Sequence, residues 1–201
     1  DATEPNAAIF SHDDLTINGS GSLTVIANYD NGIQSKDDLR LVSGTVTVTA
    51  VNDAIKGKDS VAIRDGIITV DAGGDGVQSS NDADASNGFV WIEGGVLDIT
   101  SALDGIQAET CIVVSGGAIT IVSGGGSATG STETDRPGNP WGGKQEGNAS
   151  SQSAVSTKGL KSRVDITITG GVIAIDSFDD AIHANGSITI GGGVIEVSSG
   201  D

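Results

Sequence analysis

Acidic and amide side chains recur at one position of a regularly repeated turn. Asp75 follows Asp53 by 22 residues (75 − 53), and each is followed by a small residue and then by Ile or Val. The turns that share this layout carry Asn31, Asp53, Asp75, Asp104 and Asp180, with Lys158 at the turn between the last two. If the chain winds into coils of constant length, these side chains stack about 4.8 Å apart, and neighbouring carboxylates repel one another.

A divalent cation would relieve this repulsion. Two calcium–oxygen bonds of ~2.4 Å each span about one coil step, so the column predicts bound calcium, with further oxygen ligands from Asp30 and Asn52. Lys158 would itself neutralise Asp104 and Asp180, which disfavours a metal at that end. The alternative is that Asp and Asn occur here because they tolerate tight turns and bond their own backbone.

A second set of acidic positions follows the next short strand of each repeat. Asp37 and Asp59 occupy it, together with Asp13 and Asn81. They form a second candidate metal site, which we expect to be more exposed than the first.

A strip of amides and lysines lies between the two acidic sets. Its side chains are predicted to point outward from adjacent coils, and they are Gln34, Lys36, Lys56, Lys58 and Gln78. Three of the ten basic residues of the chain therefore gather in one place, which is chemistry suited to an extended polysaccharide that carries carboxylates or many hydroxyls. The alternative is that these lysines only relieve the acidic field of the surface.

The elements that position these residues follow from the hydrophobic pattern. Each repeat contains three short stretches in which Ile, Val or Leu alternates with polar residues, separated by glycines and by the acidic turn. Equivalent positions in the first stretches are Ile9, Ile33, Ile55, Val77, Ile106, Leu160 and Ile182. This repetition predicts an all-β fold, a right-handed parallel β-helix with three short strands per coil of about 22 residues.

The same register predicts the domain organisation. Residues 1–201 form one β-helix domain, in which 1–8 cap the first coil and 127–155 are a long loop insertion without alternation. Trp141 in that loop offers a sugar-stacking face, or else pins the loop to the coil wall. Because the chain stops midway through a repeat, further coils or domains are expected in the full-length protein.

Composition excludes several classes of partner. A formal charge of −17 and a pI near 4.1 argue against nucleic acid, since that binding depends on clustered Lys and Arg. No apolar run approaches ~18 residues, so no membrane span is expected in this segment. One cysteine and no methionine fit a mature segment of an exported bacterial protein, and we expect it in the secreted or cell-surface fraction.

The repeated turns resemble those of a known family. The layouts Gly95 to Asp104-Gly105-Ile106 and Gly171 to Asp180-Ala181-Ile182 are similar to those of the calcium-containing carbohydrate-binding β-helix domains of cellulose-degrading anaerobic bacteria. Those domains bind cellulose and acidic sugars such as polygalacturonate, and their fold is pectate-lyase-like. The resemblance covers 9–201 and implies a calcium-dependent glycan binder outside the cell. It carries the metal-binding turn over to Asp53, Asp75, Asp104 and Asp180, whereas the turn at Lys158 departs from the pattern.

Three functions remain open on the sequence. The first is a non-catalytic module that binds cellulose or acidic plant glycans. The second is a polysaccharide lyase, in which calcium acidifies the proton beside a uronate carboxylate and Lys56, Lys58 or Arg64 acts as the base. The third is a structural adhesin stalk, for which the strip of lysines is only surface.

Overall fold

The computed structural model describes residues 6–129 and 156–201. The expected cap over 1–8 and the expected loop over 127–155 therefore lie largely outside the described residues, as does Trp141. Within the described residues, Asn6 directly precedes the first strand, and a short 3₁₀ turn covers Ser127–Thr129.

The described part of the chain forms seven coils, and each coil contributes one strand to each of three parallel sheets. The first sheet contains β1 (Ala7–Ser11), β4 (Asn31–Ser35), β7 (Ile55–Gly57), β10 (Val77–Ser79), β13 (Ile106–Ala108), β16 (Leu160–Ser162) and β19 (Ile182–Ala184). The second sheet contains β2 (Leu15–Ile17), β5 (Asp38–Leu41), β8 (Ser60–Ile63), β11 (Phe89–Ile92), β14 (Cys111–Val114), β17 (Asp165–Ile168) and β20 (Ile188–Ile190). The third sheet contains β3 (Ser22–Ala27), β6 (Thr45–Ala50), β9 (Ile67–Ala72), β12 (Val96–Ser101), β15 (Ala118–Ser123), β18 (Val172–Ser177) and β21 (Val194–Ser199).

Every strand pairs in parallel with the equivalent strand of the neighbouring coil, so the predicted all-β parallel β-helix is confirmed. Ile33 lies beside Ile9 on one side and Ile55 on the other, and the same ladder continues through Val77, Ile106, Leu160 and Ile182. The predicted register is therefore correct across all three sheets. It continues past the insertion between β10 and β11 and past the gap between β15 and β16.

The core is a set of aliphatic ladders that run along the axis of the solenoid. Leu39, Val61, Val90, Ile112 and Ile166 form one such ladder in the second sheet, and each is fully buried. β-Branched side chains dominate because they pack well on the pleated surface of a strand. Since the ladders fill a narrow interior, the fold needs few aromatic residues.

The last coil differs in exposure. The alternation of Ile188 and Ile190 with polar residues predicts that they point inward, but they are 45% and 56% exposed because, among the described strands, β20 pairs with β17 alone. They occupy the same ladders as the buried Ile166 and Ile168, so their exposure is due to the edge position and not to a change of register.

A glycine with positive φ precedes six of the seven strands of the third sheet. These are Gly44, Gly66, Gly95, Gly117, Gly171 and Gly193, whose φ values lie between 91° and 119°. L-amino acids other than glycine are strained in this region of φ. These glycines therefore form the corner between the second and third sheets.

No helix among the described residues is both long and apolar enough to cross a membrane.

Candidate functional site

The turn column consists of Asn31, Asp53, Asp75, Asp104, Lys158 and Asp180, and the structure places them on successive coils as predicted. The first four are buried, with exposures of 2–4%. Their side chains are linked along the column by hydrogen bonds to the backbone of the next coil. Asn31 Oδ1 accepts from the Asp53 amide at 3.1 Å, Asp53 Oδ1 from the Asp75 amide at 3.0 Å, and Asp75 Oδ1 from the Asp104 amide at 3.0 Å.

The other side-chain atom in each turn bonds a residue of the outward-facing strip. Asn31 Nδ2 donates to Gln34 Oε1 at 3.1 Å, and Lys56 Nζ lies 2.7 Å from Asp53 Oδ2. Gln78 Nε2 donates to Asp75 Oδ2 at 2.6 Å. Asn31, Asp53 and Asp75 are therefore each hydrogen-bonded to the residue three positions later, which links this part of the turn column to the strip.

The sequence analysis identified the turn column and the strip, but it did not predict the hydrogen bonds between them. The signal was the fixed spacing of three residues from Asn or Asp to Gln, Lys or His. It recurs at Asn31 and Gln34, at Asp53 and Lys56, at Asp75 and Gln78, and at Asp180 and His183.

Asp104 is neutralised by lysine from the following coil. Its Oδ2 lies 2.9 Å from Lys161 Nζ, and its Oδ1 accepts hydrogen bonds from the Lys158 amide at 2.8 Å and from Ser156 Oγ at 2.7 Å. Lys158 Nζ also contacts Asp179, and it lies 3.0 Å from Asp180 Oδ2. The lysine hydrogen bond lowers the pKa of Asp180 below its usual value. This end of the column therefore contains its own cations.

Asp75 is the member of the column that receives no cation from the described residues. It is 4% exposed, it lies between Asp53 and Asp104, and its side-chain partners are neutral. Burial, followed by the charges of Asp104 and then Asp53, raises the pKa of Asp75 to about 7. Beside it, Gln78 Oε1 is buried and has no hydrogen-bond partner among the described residues.

Asp30 and Asn52 lie one residue before the column and extend the network at its N-terminal end. Asn52 Nδ2 donates to Asp30 Oδ1 at 2.9 Å and to Asn31 Oδ1 at 3.1 Å, and Asn6 Nδ2 donates to Asp30 Oδ2 at 2.6 Å. Asn52 contacts the column through its amide nitrogen, and Asp30 is joined to the column through Asn52, so the structure brings both residues beside Asn31.

The second acidic set also comes together. Asp13, Asp14 and Asp37 place carboxylate oxygens within 4.8 Å of one another, and Asp59 Oδ1 accepts a hydrogen bond from Asn81 Nδ2 at 2.6 Å. Partial burial, then the charges of Asp59, Asp13 and Asp14, raises the pKa of Asp37. This cluster is more exposed than the turn column, as expected.

The outward strip forms a straight row across the first sheet. Phe10, Gln34, Lys56, Gln78, Gln107, Lys161 and His183 are successive partners in the strand register. Gln34 is buried, and Lys56 is held in its ion pair with Asp53. Part of the row is therefore bonded to the turn column, through Gln34 and Lys56.

Lys36 and Lys58 follow β4 and β7 on adjacent coils, beside the row. Both are exposed, and neither forms an ion pair with the described residues. Lys36 Nζ lies 6.0 Å from the centre of the Phe10 ring, and that ring meets His12 edge-on at 4.8 Å. These two ammonium groups are available to an anionic ligand.

Arg64 does not join this site. It follows β8 in the second sheet, and its Nε lies 3.5 Å from Glu93 Oε2. Of the three bases considered for a lyase, only Lys58 is thus both on the first-sheet side and free of an ion pair among the described residues.

Comparison with known proteins gives consistent descriptions. A family model described as "Carbohydrate-binding domain-containing protein" matches residues 1–201. A protein of the same description from Acetivibrio thermocellus is 53% identical over 47 residues, which cover 23% of this chain and 16% of the relative. A solved structure described as "Structure of the polysaccharide lyase-like protein from C. thermocellum, Gadolinium derivative" aligns with a TM-score of 0.60 and 39% identity. That alignment covers 61% of this chain and 50% of the solved chain, so this chain spans about half the length of that relative.

Proposed function

The chain belongs to the family of carbohydrate-binding domain-containing proteins, and on that premise we propose that it is a non-catalytic protein that binds an acidic polysaccharide along its first sheet. The observation that carries this proposal is the pair of exposed, unpaired ammonium groups of Lys36 and Lys58 on adjacent coils. In a chain of formal charge −17, two such cations beside a row of amides favour a ligand with regularly spaced carboxylates.

The geometry of the first sheet suits an extended polymer. Successive coils repeat at about 4.8 Å, and each presents one polar side chain in the row from Gln34 to His183. A polysaccharide lying parallel to the solenoid axis would meet a similar surface at every coil. Polygalacturonate has the required negative charge, and it is the acidic ligand we propose.

Calcium is the cofactor we propose, and Asp75 is the ligand around which we place it. A buried carboxylate without a cationic partner is unfavourable, and the unpartnered Gln78 Oε1 adds a neutral oxygen at the same place. Calcium prefers such oxygen donors. The relative described as a gadolinium derivative supports the proposal, because gadolinium is also a hard cation that prefers oxygen.

A calcium titration tests the cofactor. We expect calorimetry of the chelator-treated protein to show calcium binding that is lost in Asp75→Asn and retained in Asp71→Asn, which removes an exposed aspartate from the third sheet. Equal calcium binding by all three proteins would contradict this placement.

The function is tested by pelleting with insoluble ligand. The protein is incubated with polygalacturonate coupled covalently to beads and with cellulose, each with calcium and again after chelator treatment with magnesium as the replacement cation. We expect calcium-dependent pelleting with polygalacturonate and no release of unsaturated product. Failure to pellet with either polysaccharide would reject the binding function and leave the structural stalk.

A lyase is the second candidate, because the aligned solved structure is described as polysaccharide lyase-like. Lys58 would be the base, since Lys56 is paired with Asp53 and Arg64 with Glu93. The same incubation distinguishes the two functions, because a lyase releases unsaturated uronate, which is measured by its absorbance. Accumulation of this product would show that the protein is a lyase and not only a binding protein.

We also propose that the protein acts outside the cell, secreted or at the cell surface. Insoluble plant polysaccharide is found there, and an acidic, cysteine-poor chain suits that setting. Fractionation of the producing cells with an antibody against the protein tests this, and recovery in the cytosol alone would contradict it.

A further inference from the structure

A tryptophan lies exposed in the middle of the second sheet. The outward row of that sheet runs through Thr16, Arg40, Ala62, Trp91, Val113, Thr167 and Thr189, which are successive partners in the strand register. Trp91 is 42% exposed, and its two neighbours in the row are the small side chains of Ala62 and Val113. The indole therefore projects beyond the side chains of both neighbours in the row.

The ring of Trp91 has no polar or aromatic partner among the described residues. The ring–ring contact in this part of the chain is that of Phe10 with His12, and the cation–ring contact is that of Lys36 with Phe10. The structure leaves two-fifths of the surface of Trp91 in water. A large apolar surface held in water on a rigid strand is typical of a binding site.

Two charged side chains border the indole on one side. Arg64 and Glu93 follow Ala62 and Trp91 by two residues, and they lie side by side because Ile63 pairs with Ile92. Their contact is 3.5 Å between Nε and Oε2, and their side chains are 72% and 37% exposed. An exposed ion pair of this kind contributes little to stability, so both groups can instead bond hydroxyl groups of a ligand.

The charge of this row differs from that of the first sheet. From Ala62 to Thr189 the outward row carries no charged residue over five coils, although the chain has 27 acidic residues. The cations beside this stretch are Arg64, which is paired with Glu93, and Arg40, which is paired with Asp14 and Asp38. The row therefore matches a neutral ligand.

We propose that Trp91 is the stacking platform of a second glycan subsite, which takes a neutral pyranose chain, with Arg64 and Glu93 bonding its hydroxyls. The apolar face of a pyranose ring covers the indole, and the small residues Ala62 and Val113 leave room for the adjoining sugars. This inference rests on the proposed carbohydrate-binding function, but it assigns a different surface and a different ligand from the first-sheet strip.

The test compares two ligands and three variants. Binding of cellohexaose is measured by calorimetry for the wild type, Trp91→Ala, Trp91→Phe and Tyr29→Ala, the last of which removes another exposed aromatic side chain. We expect Trp91→Ala to weaken cellohexaose binding at least tenfold, Trp91→Phe to retain an intermediate affinity, and Tyr29→Ala to bind like the wild type. Pelleting with polygalacturonate is expected to stay unchanged in all four.

Fluorescence gives an independent readout. The chain has two tryptophans, so Trp141→Phe leaves Trp91 as the single indole, and we expect its emission to shift to shorter wavelength when cellohexaose is added. Circular dichroism melts establish that each variant is folded.

Several results would overturn the subsite. The first is that the wild type does not bind cellohexaose, and the second is that a folded Trp91→Ala variant binds it normally. The third is that the wild type sediments as a dimer and Trp91→Ala as a monomer, which would place Trp91 in a protein–protein interface. If the wild type does not bind polygalacturonate but its cellohexaose binding depends on Trp91, only the proposed polygalacturonate site on the first sheet is rejected.

Discussion

At the scale of single residues, the turn column shows how a row of carboxylates is accommodated without being exposed. In Asp53 and Asp75, one carboxylate oxygen accepts a hydrogen bond from the amide of the next coil, and the other contacts a side chain of the strip. Lysine neutralises Asp53 and Asp104, whereas Asp75 between them has only neutral partners. Asp53 and Asp104 are therefore held in ion pairs, whereas the pKa of Asp75 is raised.

The pH dependence of stability tests this reading of Asp75. Its pKa is about 7 in the folded protein and roughly 3.9 in the unfolded chain, so between these values the folded state binds more protons. Unfolding free energy therefore falls as pH rises through that range, by about 2–4 kcal/mol in total without a metal. We expect the melting temperature in chelator to fall between pH 5 and pH 8, less in Asp75→Asn than in Asp71→Asn.

The Asp75→Asn variant is expected to fold well, because Asn31 and Gln34 already form the same asparagine–glutamine pair at the equivalent positions of another coil. Asn31 Nδ2 donates to Gln34 Oε1, and in Asp75→Asn the unpartnered Gln78 Oε1 can accept in the same way. An Asp75→Asn variant whose melting temperature falls as steeply with pH as that of the wild type would contradict the role given to Asp75.

The two lysines of β7 and its following turn are expected to differ in their effect on stability. Lys56→Ala leaves the carboxylate of Asp53, which is 4% exposed, without its cation, and we expect a loss of about 2 kcal/mol or more. Lys58→Ala removes an exposed and unpaired charge and is expected to change stability by less than about 0.5 kcal/mol. Chemical denaturation of both variants measures the difference, and equal effects would count against the ion pair.

At the scale of strands and turns, much of the fold could be predicted from the sequence. Alternation at Ile68 and Val70, or at Leu97 and Ile99, identifies inward positions directly, and the repeat length fixes which strands pair. The hydrogen bonds from turn to strip could not be predicted in this way, because they depend on side-chain rotamers. The exposure of Trp91 could not be predicted either, because the alternation shows that it points outward but not what covers it.

The corner glycines give a prediction at this scale. Gly66 has φ of 119°, and an added Cβ would lie 2.7 Å from the carbonyl oxygen of Gly44. Gly66→Ala is expected to cost about 1–3 kcal/mol, whereas Gly21→Ala, where a Cβ meets nothing within 4 Å, is expected to be nearly neutral. Urea unfolding of the two variants compares them, and a neutral Gly66→Ala would mean that the corner is not constrained.

At the scale of the whole molecule, the three sheets present different surfaces. The first carries Lys36 and Lys58 beside the turn column, and the second carries Trp91 in a row that has no charged residue from Ala62 to Thr189. The outward positions of the third sheet are mainly Thr, aliphatic and acidic residues. Because a solenoid is rigid and its coils repeat, each face can contact a long polymer at several points. Family and fold were predictable at this scale, whereas the division of ligands that we propose between the faces rests on the exposure of individual side chains.

The most direct test of the central claim is calorimetry with an oligogalacturonate in the presence of calcium. It compares the wild type with Lys36→Ala/Lys58→Ala and with Arg40→Ala, a removal of positive charge from the second sheet. We expect at least tenfold weaker binding by the lysine double variant and unchanged binding by Arg40→Ala. Equal affinity of the folded lysine variant and the wild type would contradict it.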